Sequence, residues 1–162
     1  MRQLHSIDPG YRALVIGASG GIGSAFARLL AADPACSEVI TLSRGVDGLD
    51  VTAEDSVADH AERLSGGSFS IILCATGALT IDGQGPEKTI KRLDGAAMAR
   101  QFSLNAIGPA LVMKHFLPLM PKAGRSLFGV LSAKVGSISD NQLGGWISYR
   151  ASKAALNQIL RT

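Results

Sequence analysis

Short apolar runs alternate along this chain with segments in which apolar residues recur at helical spacing. Residues 12–16 form a short apolar run closed by Gly17, which is typical of a strand buried on both faces. Between residues 22 and 32 the apolar side chains recur with the period of a helix, and Pro34 is a signal for its end. Residues 38–42 then predict a second strand.

The same alternation continues to the end of the chain. Further strands are predicted at residues 49–51, 69–75 and 126–131, and further helices at residues 52–64, 94–116 and 148–162. The first of these helices opens with Thr52-x-x-Asp55, a capping-box pattern, whereas residues 82–87 and 132–146 have the composition of loops. Because strands that alternate with helices indicate βαβ units, the sequence predicts an α/β fold with a Rossmann-like, doubly wound parallel sheet of five strands.

The composition fits one globular domain and excludes several other classes of protein. The chain has 162 residues, of which 46% are hydrophobic and 18% charged, so a disordered protein is excluded and one domain over residues 1–162 is expected. No apolar run approaches the ~18 residues of a membrane span, and residues 1–10 lack the apolar stretch of a signal peptide. We therefore expect a soluble, cytoplasmic protein.

Charge and cysteine usage narrow the possible partners. The net charge is +3 without a cluster of Lys and Arg, which disfavours a nucleic-acid surface and leaves a mild bias towards anionic ligands. Cys36 and Cys74 are far apart, and His5, His60 and His115 lie on separate segments. The pattern therefore predicts neither a disulfide scaffold nor a metal site.

A glycine-rich segment follows the first predicted strand and opens the first predicted helix. It reads Gly17-Ala18-Ser19-Gly20-Gly21-Ile22-Gly23. Glycines permit a tight turn and the close approach of a pyrophosphate, and the helix N-terminus supplies free N–H groups. The spacing fits both G-x-x-x-G-x-G and G-x-x-G-x-x-G, so the motif alone does not select a subfamily. We predict a dinucleotide site here, and the alternative is a glycine-rich turn that binds nothing.

The residues after the second predicted strand bear on the choice of cofactor. An acidic residue at this place would hold the ribose 2′-hydroxyl of NAD, but this chain has Ser43 and Arg44. A guanidinium suits a 2′-phosphate, so the sequence favours NADP over NAD. The alternative is a solvated surface arginine.

A tyrosine and a lysine stand four residues apart at the start of the last predicted helix. Positions i and i+4 share one helix face, so Tyr149 and Lys153 are expected to point into the same space. A neighbouring cation favours the phenolate and lowers the pKa of a tyrosine, which is ordinarily ~10. The pair therefore predicts a tuned general acid.

With these motifs in this order, the chain resembles the short-chain dehydrogenase/reductase family from residue 12 to its end. The resemblance is carried by the glycine segment, Asp50-Val51, Cys74-Ala75-Thr76-Gly77, Asn105-Ala-Ile-Gly-Pro109 and Tyr149-Arg-Ala-Ser-Lys153-Ala-Ala-Leu-Asn157. Residues 135–141 and 144–146 are similar to the small C-factor-like carbonyl reductase branch. The resemblance implies that Asp50 and Val51 lie at the adenine, and that Ala75, Thr76 and Gly77 bind the cofactor although residues 74–77 depart from the family's Asn-Asn-Ala-Gly.

The resemblance also assigns catalytic roles. Tyr149 would protonate a carbonyl oxygen as hydride arrives, and Lys153 would lower the pKa of Tyr149 and hold the nicotinamide ribose. Asn105 would fix a water in the proton path to Lys153. The plain alternative for Asn105 is a buried amide that pairs with the backbone inside a long helix.

The family's catalytic serine has no direct counterpart. The position that matches it is Ala133, so we expect the hydroxyl of Ser132 to take its place, with Ser137 and Ser139 as alternatives. The other interpretation is that these hydroxyls only satisfy loop backbone.

Three functions follow from these motifs. The first is an NADP-dependent reductase of ketones or aldehydes. The second is a nucleotide-binding protein without catalysis and with a sensory or signalling role, which Ala133 and the altered residues 74–77 favour. The third is an epimerase or dehydratase, which the ambiguous glycine spacing allows.

Two further expectations come from the resemblance. Family members continue beyond the Tyr-Lys helix with two more strands and a substrate-covering segment, so we expect the domain in residues 1–162 to be incomplete at its C-terminal end. The family also implies a homodimer or homotetramer, formed through residues 94–116 and the last helix.

Overall fold

A computed structural model describes residues 6–162. Its strands are β1 (Tyr11–Ile16), β2 (Cys36–Leu42), β3 (Ile71–Cys74) and β4 (Leu127–Val130). Its α-helices are α1 (Gly21–Ala31), α2 (Arg44–Asp47), α3 (Glu54–Arg63), α4 (Gly95–Phe102), α5 (Gly108–Phe116) and α6 (Ile147–Arg161). The 3₁₀ turns are Ile90–Arg92, Leu117–Leu119 and Lys134–Gly136, and Ser103–Ile107 is a π-helical segment. Residues 1–5, which hold His5 and half of the segment considered as a signal peptide, lie outside the described residues.

The strands form one parallel sheet in the order β2-β1-β3-β4. Because β1 pairs with both β2 and β3, it has no free edge, and its residues from Ala13 to Ile16 are completely buried. A strand with no exposed face carries a continuous apolar run, which is the pattern that predicted it. The predicted α/β architecture with a parallel sheet is confirmed.

The predicted strand at residues 49–51 is wrong, so the described chain has a four-stranded sheet and not a five-stranded one. Leu49 and Val51 are buried, but the backbone between them bonds locally and does not join the sheet. The Leu49 N–H donates to the Ser43 carbonyl at 3.4 Å, and the Asp50 N–H donates to the Ser56 hydroxyl at 3.0 Å. Two buried apolar side chains therefore anchor a loop between α2 and α3.

The start of α3 also differs from the prediction. Its N-cap is Ala53, without a side-chain hydrogen bond to the helix. The Thr52 hydroxyl donates to Asp50 Oδ1 at 2.7 Å, and the Thr52 N–H donates to the same oxygen at 2.9 Å. The capping-box interpretation is wrong because the Thr52 side chain is used in the preceding turn. Glu54 and Asp55 in the first turn complement the positive end of the helix dipole instead.

The chain divides into two compact units. The first consists of the chain up to Thr76 and of Leu111–Val130, so it contains the whole sheet with α1, α2 and α3. In its core the Tyr11 hydroxyl donates to the carboxylate of Asp33 at 2.9 Å, and both residues are buried. This hydrogen bond fastens β1 to the turn that precedes β2.

The second unit consists of Gly77–Ala110 and Leu131–Thr162. Within it α4 and the π-helical segment pack against α6. The Asp94 carboxylate caps α4 by accepting the Ala97 N–H at 2.6 Å. This unit carries both the tyrosine–lysine helix and the Asn105 segment.

The helix predicted for residues 94–116 is interrupted at Ser103–Ile107 by π geometry. The Gly108 N–H bonds to the carbonyl of Ser103, five residues back and not four. Pro109 has no N–H, so the carbonyl of Asn105 lacks the donor that an α-helix would supply. Single-turn π segments of this kind are frequent at functional sites.

Two negative findings apply to residues 6–162. None of their helices combines the length and apolar character that crossing a membrane requires. Within the same range, no three His, Cys, Asp or Glu side chains come together as a metal site, and Cys36 and Cys74 are not joined in a disulfide.

Candidate active site

The glycine-rich turn joins the end of β1 to the start of α1, as predicted. Gly17 has a φ of +84°, and its N–H donates to the Leu42 carbonyl at the end of β2 at 2.8 Å. A Cβ on Gly17 would lie 2.9 Å from the carbonyl carbon and oxygen of Ala75, directly after β3. Only glycine fits at this meeting point of three strand ends.

The first turn of α1 is open in the way that an anion site requires. A Cβ on Gly23 would lie 2.9 Å from the carbonyl carbon of Gly17, and still closer to its oxygen, whereas a Cβ on Gly21 would meet no atom within 4 Å. Gly20, the N-cap, makes no side-chain hydrogen bond, and the first turn carries no acidic residue. The N–H groups and the positive dipole end of α1 are therefore available to a negatively charged ligand.

The two remaining predicted members of this turn are Ser19 and Ile22. Both are exposed, and the Ile22 side chain is 56% accessible to solvent. The structure thus collects the predicted cradle residues in one turn at the carboxyl ends of the strands, where open α/β sheets bind ligands.

Ser43 and Arg44 follow β2 but have different surroundings. Ser43 is buried, and its N–H and hydroxyl donate to Asp47 Oδ2 at 2.7 and 3.3 Å. Arg44 is exposed and begins α2. Of the two, the guanidinium of Arg44 is the group that is open to a ligand.

Asp50 and Val51 lie in the loop before α3. Val51 is buried, and Asp50 is half-buried. Hydrogen bonds from the hydroxyl and N–H of Thr52, followed by the charge of Arg44, outweigh partial burial and hold the pKa of Asp50 below its ordinary value. Asp50 is therefore a carboxylate acceptor at neutral pH, as contact with an adenine amino group would require.

Ala75 and Thr76 continue the chain from β3. The Ala75 N–H donates to the Ile16 carbonyl at 2.7 Å, and the Thr76 hydroxyl lies 3.2 Å from the sulfur of Cys74. These contacts place both residues beside the end of β1. All the predicted cofactor residues up to Thr76 thus belong to the first unit.

Tyr149 and Lys153 lie one turn apart on α6, as their spacing predicts. Lys153 is 3% exposed, its Nζ donates to the Leu131 carbonyl at 2.9 Å, and that Nζ lies 6.0 Å from the centroid of the Tyr149 ring. Burial raises the pKa of Tyr149, so the prediction that Lys153 lowers it is corrected. With the ammonium at this distance and donating to Leu131, the desolvation of the phenolate is not offset. At neutral pH Tyr149 is a protonated phenol.

Gly77 brings Lys153 and Asn105 together. It has a φ of +129°, and a Cβ here would lie 2.8 Å from Asn105 Oδ1 and 3.0 Å from Lys153 Nζ. An amide oxygen and an ammonium therefore flank the bare Cα of Gly77. A side chain at this position would displace both.

The Asn105 side chain is completely buried and fully bonded. Its Oδ1 accepts the Ala78 N–H at 3.0 Å, and its Nδ2 donates to the Ala78 carbonyl at 2.9 Å and to Gln101 Oε1 at 2.6 Å. The amide thus pairs with backbone, as the plain alternative describes. The Asn105 carbonyl cannot accept the bond that an α-helix would give it from residue 109, because that residue is proline.

The hydroxyls near Ala133 are engaged in local hydrogen bonds. Ser132 is exposed, and its Oγ donates to Asn157 Oδ1 at 2.5 Å. The Ser137 and Ser139 hydroxyls lie 3.4 Å apart, and Ser137 Oγ also accepts the N–H of Asp140 at 3.3 Å. None of these hydrogen bonds involves Tyr149, whose phenol is the evident acid of the site.

Two residues that the sequence analysis did not single out support this site. Gln101 is buried, bonds to Asn105 and donates from Nε2 to the Leu79 carbonyl at 2.9 Å. Its spacing of one helical turn before Asn105 is a signal that could have found it. Glu87 forms hydrogen bonds with Ser148, the residue before Tyr149. No local sequence pattern predicts this contact, because the two residues are far apart in the chain.

Comparison with known proteins finds relatives that match nearly the whole chain. No protein-family model matches it. A 1-hydroxy-2-glutathionyl-2-methyl-3-butene dehydrogenase from Rhodococcus sp. (strain AD45) is 32% identical over 158 residues, which cover 90% of this chain and 66% of that protein. The chain therefore spans slightly less than two thirds of that relative's length.

Two solved structures show the same fold. A short-chain dehydrogenase/reductase from Burkholderia multivorans with bound NADP is 28% identical, with a TM-score of 0.77 over 94% of this chain and 71% of that one. An NADPH-bound carbonyl reductase from chicken fatty liver is 25% identical, with a TM-score of 0.76 over 97% of this chain and 71% of that one. Together with the glycine turn, the Asn105 segment and the tyrosine–lysine helix, these similarities show that the chain belongs to the short-chain dehydrogenase/reductase family.

Proposed function

We propose that this protein is an NADP-dependent oxidoreductase that reduces a ketone or aldehyde to an alcohol. The observation that carries the proposal is the second unit's cluster: a protonated Tyr149 and a buried Lys153 on one helix, with Asn105 and the bare Gly77 against the lysine. A phenol that stays protonated at neutral pH is suited to donate a proton to a developing alkoxide. Relatives named as dehydrogenases and carbonyl reductases support the reaction class.

The residues of the first unit fit the cofactor. The cradle has no Cβ where a phosphate would approach at Gly21, and the first turn of α1 lacks an acidic residue that would repel it. The exposed guanidinium of Arg44 after β2 suits a 2′-phosphate, which supports NADP over NAD. Asp50 and Val51 would lie at the adenine. The NADP and NADPH bound in two related structures support the same choice.

The proposed reaction uses one proton from the protein for each carbonyl reduced. When bound, NADPH would supply the hydride (two electrons and a proton nucleus) that the carbonyl carbon needs, and it would leave as NADP⁺. Tyr149 donates its phenolic proton to the carbonyl oxygen, so the product is an alcohol and Tyr149 is left as a phenolate. The ammonium of Lys153 stabilises that phenolate as its charge forms. A solvent proton then restores the phenol, and we propose that a water on the Asn105 carbonyl takes part in its delivery.

Ser132 remains the proposed substitute for the family's serine, although it must exchange partners to act. Its proton is donated to Asn157, so contact with a substrate oxygen would require that bond to open. We expect Tyr149 to contribute more to polarisation of the carbonyl than Ser132 does. Ser132→Ala should accordingly lower turnover far less than a change at Tyr149.

The second candidate is a cofactor-binding protein without catalysis. It is favoured by the absence of a hydroxyl at position 133 and by the engagement of Ser132 with Asn157. Both candidates are expected to bind NADPH, and this binding can be monitored by the decrease or increase in NADPH fluorescence. Only the reductase consumes NADPH when a carbonyl compound is added.

The discriminating experiment measures NADPH binding and NADPH oxidation on the same protein. We expect binding by fluorescence titration, and loss of absorbance from NADPH with at least one member of a broad panel of ketones and aldehydes. Binding without oxidation across the panel would favour the non-catalytic candidate. Absence of binding to both NADPH and NADH would contradict the proposed cofactor.

We also propose that the protein forms a homodimer or homotetramer in the cytoplasm. Apolar side chains on the helices concerned remain exposed, among them Leu160 on α6 and Ile107 in the π-helical segment. Exposed apolar positions on packed helices are available for burial against a second copy. Sedimentation of the purified protein should give a mass of two or four chains, and a monomer at micromolar concentration would contradict this proposal.

A further inference from the structure

Glu87 reaches the beginning of the tyrosine-bearing helix from a loop far away in sequence. Its carboxylate accepts the Ser148 N–H at 3.1 Å and a second hydrogen bond from the Ser148 hydroxyl. Its backbone carbonyl accepts the Trp146 N–H at 2.5 Å. Glu87 therefore holds the helix start on both sides of residue 147 with three hydrogen bonds.

The start of α6 needs such an outside partner. Its N-cap is Trp146, which has a φ of 53° and a ψ of 42° and makes no side-chain hydrogen bond to the helix. The two residues before it, Gly144 and Gly145, also have positive φ values of 64° and 67°. A left-handed conformation is costly for a bulky residue and persists only where its surroundings hold it. Glu87 provides the acceptors that hold Trp146 and the first turn in place.

The charge of Glu87 suits this position. Burial raises the pKa of Glu87, but hydrogen bonds from Ser148 and from the backbone outweigh it and leave the pKa below its ordinary value, in spite of the nearby Asp94. The group is therefore a carboxylate at neutral pH. A carboxylate at a helix N-terminus satisfies free N–H groups and complements the helix dipole. Ser148 is only 1% exposed, so loss of this partner would leave buried donors unsatisfied.

The held residues adjoin the proposed acid directly. Ser148 precedes Tyr149 in the chain, and the Trp146 ring packs edge-on against the Tyr149 ring, with centroids 6.5 Å apart at 76°. A shift of the first turn of α6 would therefore move the phenol. Misplacement of a catalytic group by about 1 Å is enough to lower a rate ~100-fold.

We infer that Glu87 is a positioning residue for Tyr149, acting through Ser148 and Trp146 at the start of α6. The inference rests on the proposed function, because it assigns Glu87 a part in placing the acid of that reaction. It requires Glu87 to affect the rate of the chemical step more than it affects cofactor binding.

The test compares Glu87→Gln, Ser148→Ala and a control, Asp82→Asn, in the full chain. Asp82 lies in the same loop and pairs with Arg100 of α4 at 3.8 Å, and it makes none of the hydrogen bonds to residues 146–148 described above. We expect Glu87→Gln and Ser148→Ala to lower kcat by tenfold or more while KM for NADPH and its Kd change less than twofold. The control should retain wild-type kcat.

Fluorescence gives a second readout that a general loss of stability would not reproduce. Trp146 is the only tryptophan of the chain, so its emission and anisotropy report the start of α6 alone. Both should change in folded Glu87→Gln and remain unchanged in Asp82→Asn. Glu87→Asp should recover part of the kcat that Glu87→Gln loses, because it restores the charge.

The outcomes separate this inference from the proposed function. A wild-type protein that oxidises no NADPH with any carbonyl of the panel overturns the proposed function and the inference with it. A wild-type protein that is active, with Glu87→Gln and Ser148→Ala equally active, overturns the inference alone. So does a loss of kcat in Glu87→Gln that is matched by an equal loss of NADPH affinity.

Discussion

Two glycines of the cradle, Gly21 and Gly23, provide a matched pair of substitutions with opposite expected effects on stability. In Gly23→Ala the new methyl would lie 2.9 Å from the carbonyl carbon of Gly17 and 3.0 Å from the Cα of Ala18, where ordinary contact begins at 3.4 Å. All the neighbouring atoms are backbone, so the turn itself must move. Overpacking of this kind costs ~1–3 kcal/mol, and the better helix propensity of alanine returns up to ~1 kcal/mol. We expect a net loss of about 1–2 kcal/mol in the free energy of unfolding.

Gly21→Ala places the same methyl in open space, with no atom within 4 Å. Its free energy of unfolding should rise by up to ~1 kcal/mol above wild type, because only the helix propensity changes. NADPH affinity should nevertheless fall about tenfold or more, since the methyl occupies the surface that a diphosphate would approach.

The two variants are compared by urea unfolding, followed by far-UV circular dichroism, and by NADPH titration of the folded proteins. Equal stability of Gly23→Ala and Gly21→Ala would refute the packing argument for the turn. Wild-type NADPH affinity in Gly21→Ala would refute the assignment of the cradle, whatever the stabilities are.

Two further predictions concern charged groups near the end of β2. Arg44→Gln should lower the preference for NADPH over NADH about tenfold. The control Arg63→Gln, on α3, should leave that preference unchanged. An unchanged ratio of the NADPH and NADH Kd values in Arg44→Gln would contradict the 2′-phosphate assignment. Thr52→Val should lose about 0.5–1 kcal/mol of stability near pH 7, because the Thr52 hydroxyl bonds to the Asp50 carboxylate. Since the pKa of Asp50 is lowered in the folded protein, this contribution is present above the unfolded pKa of ~3.9 and is lost as the pH falls through the folded value. Urea unfolding from pH 7 to pH 2 should show that the difference in free energy of unfolding between Thr52→Val and wild type becomes smaller below pH ~4. A difference that does not change with pH would contradict the argument. So would a difference of the same size when Thr52→Val is made in an Asp50→Asn background.

The strands of the sheet could be predicted because a strand that pairs on both sides has a characteristic local sequence. A strand without a free edge must be apolar throughout, and the run that forms β1 is apolar for that reason. The same rule failed at residues 49–51, where Leu49 and Val51 are buried in a loop. Alternating burial alone does not reveal whether the N–H groups bond to a strand or, as here, to Ser43 and Ser56.

The site was predictable where its members share one turn or one helix. Tyr149 and Lys153 are one helical turn apart, and the glycines of the cradle are contiguous, so spacing alone placed each group. The direction of the pKa shift of Tyr149 was not predictable, because it depends on burial and on the partner that Lys153 finds at the Leu131 carbonyl. The contact of Glu87 with the start of α6 depends on the path of an irregular loop, for which no sequence periodicity exists.

The π-helical segment could be predicted from the sequence only in part. Gly108 and Pro109 inside a predicted helix are visible in the sequence, and proline removes the donor for the Asn105 carbonyl. The sequence therefore contains the cause of the irregularity. The packing of this segment against α6, in contrast, is a long-range contact for which the sequence has no local pattern.

The central claim is that Tyr149 donates the proton in carbonyl reduction, and Tyr149→Phe tests it most directly. The variant removes one oxygen from α6 and leaves Lys153 and the cradle in place, and Tyr11→Phe, at the other tyrosine of the chain, is the matched control. We expect NADPH oxidation by Tyr149→Phe to fall ~100- to 10,000-fold with its NADPH Kd within twofold of wild type, and Tyr11→Phe to keep wild-type turnover while folded. Turnover by Tyr149→Phe within threefold of wild type would contradict the claim.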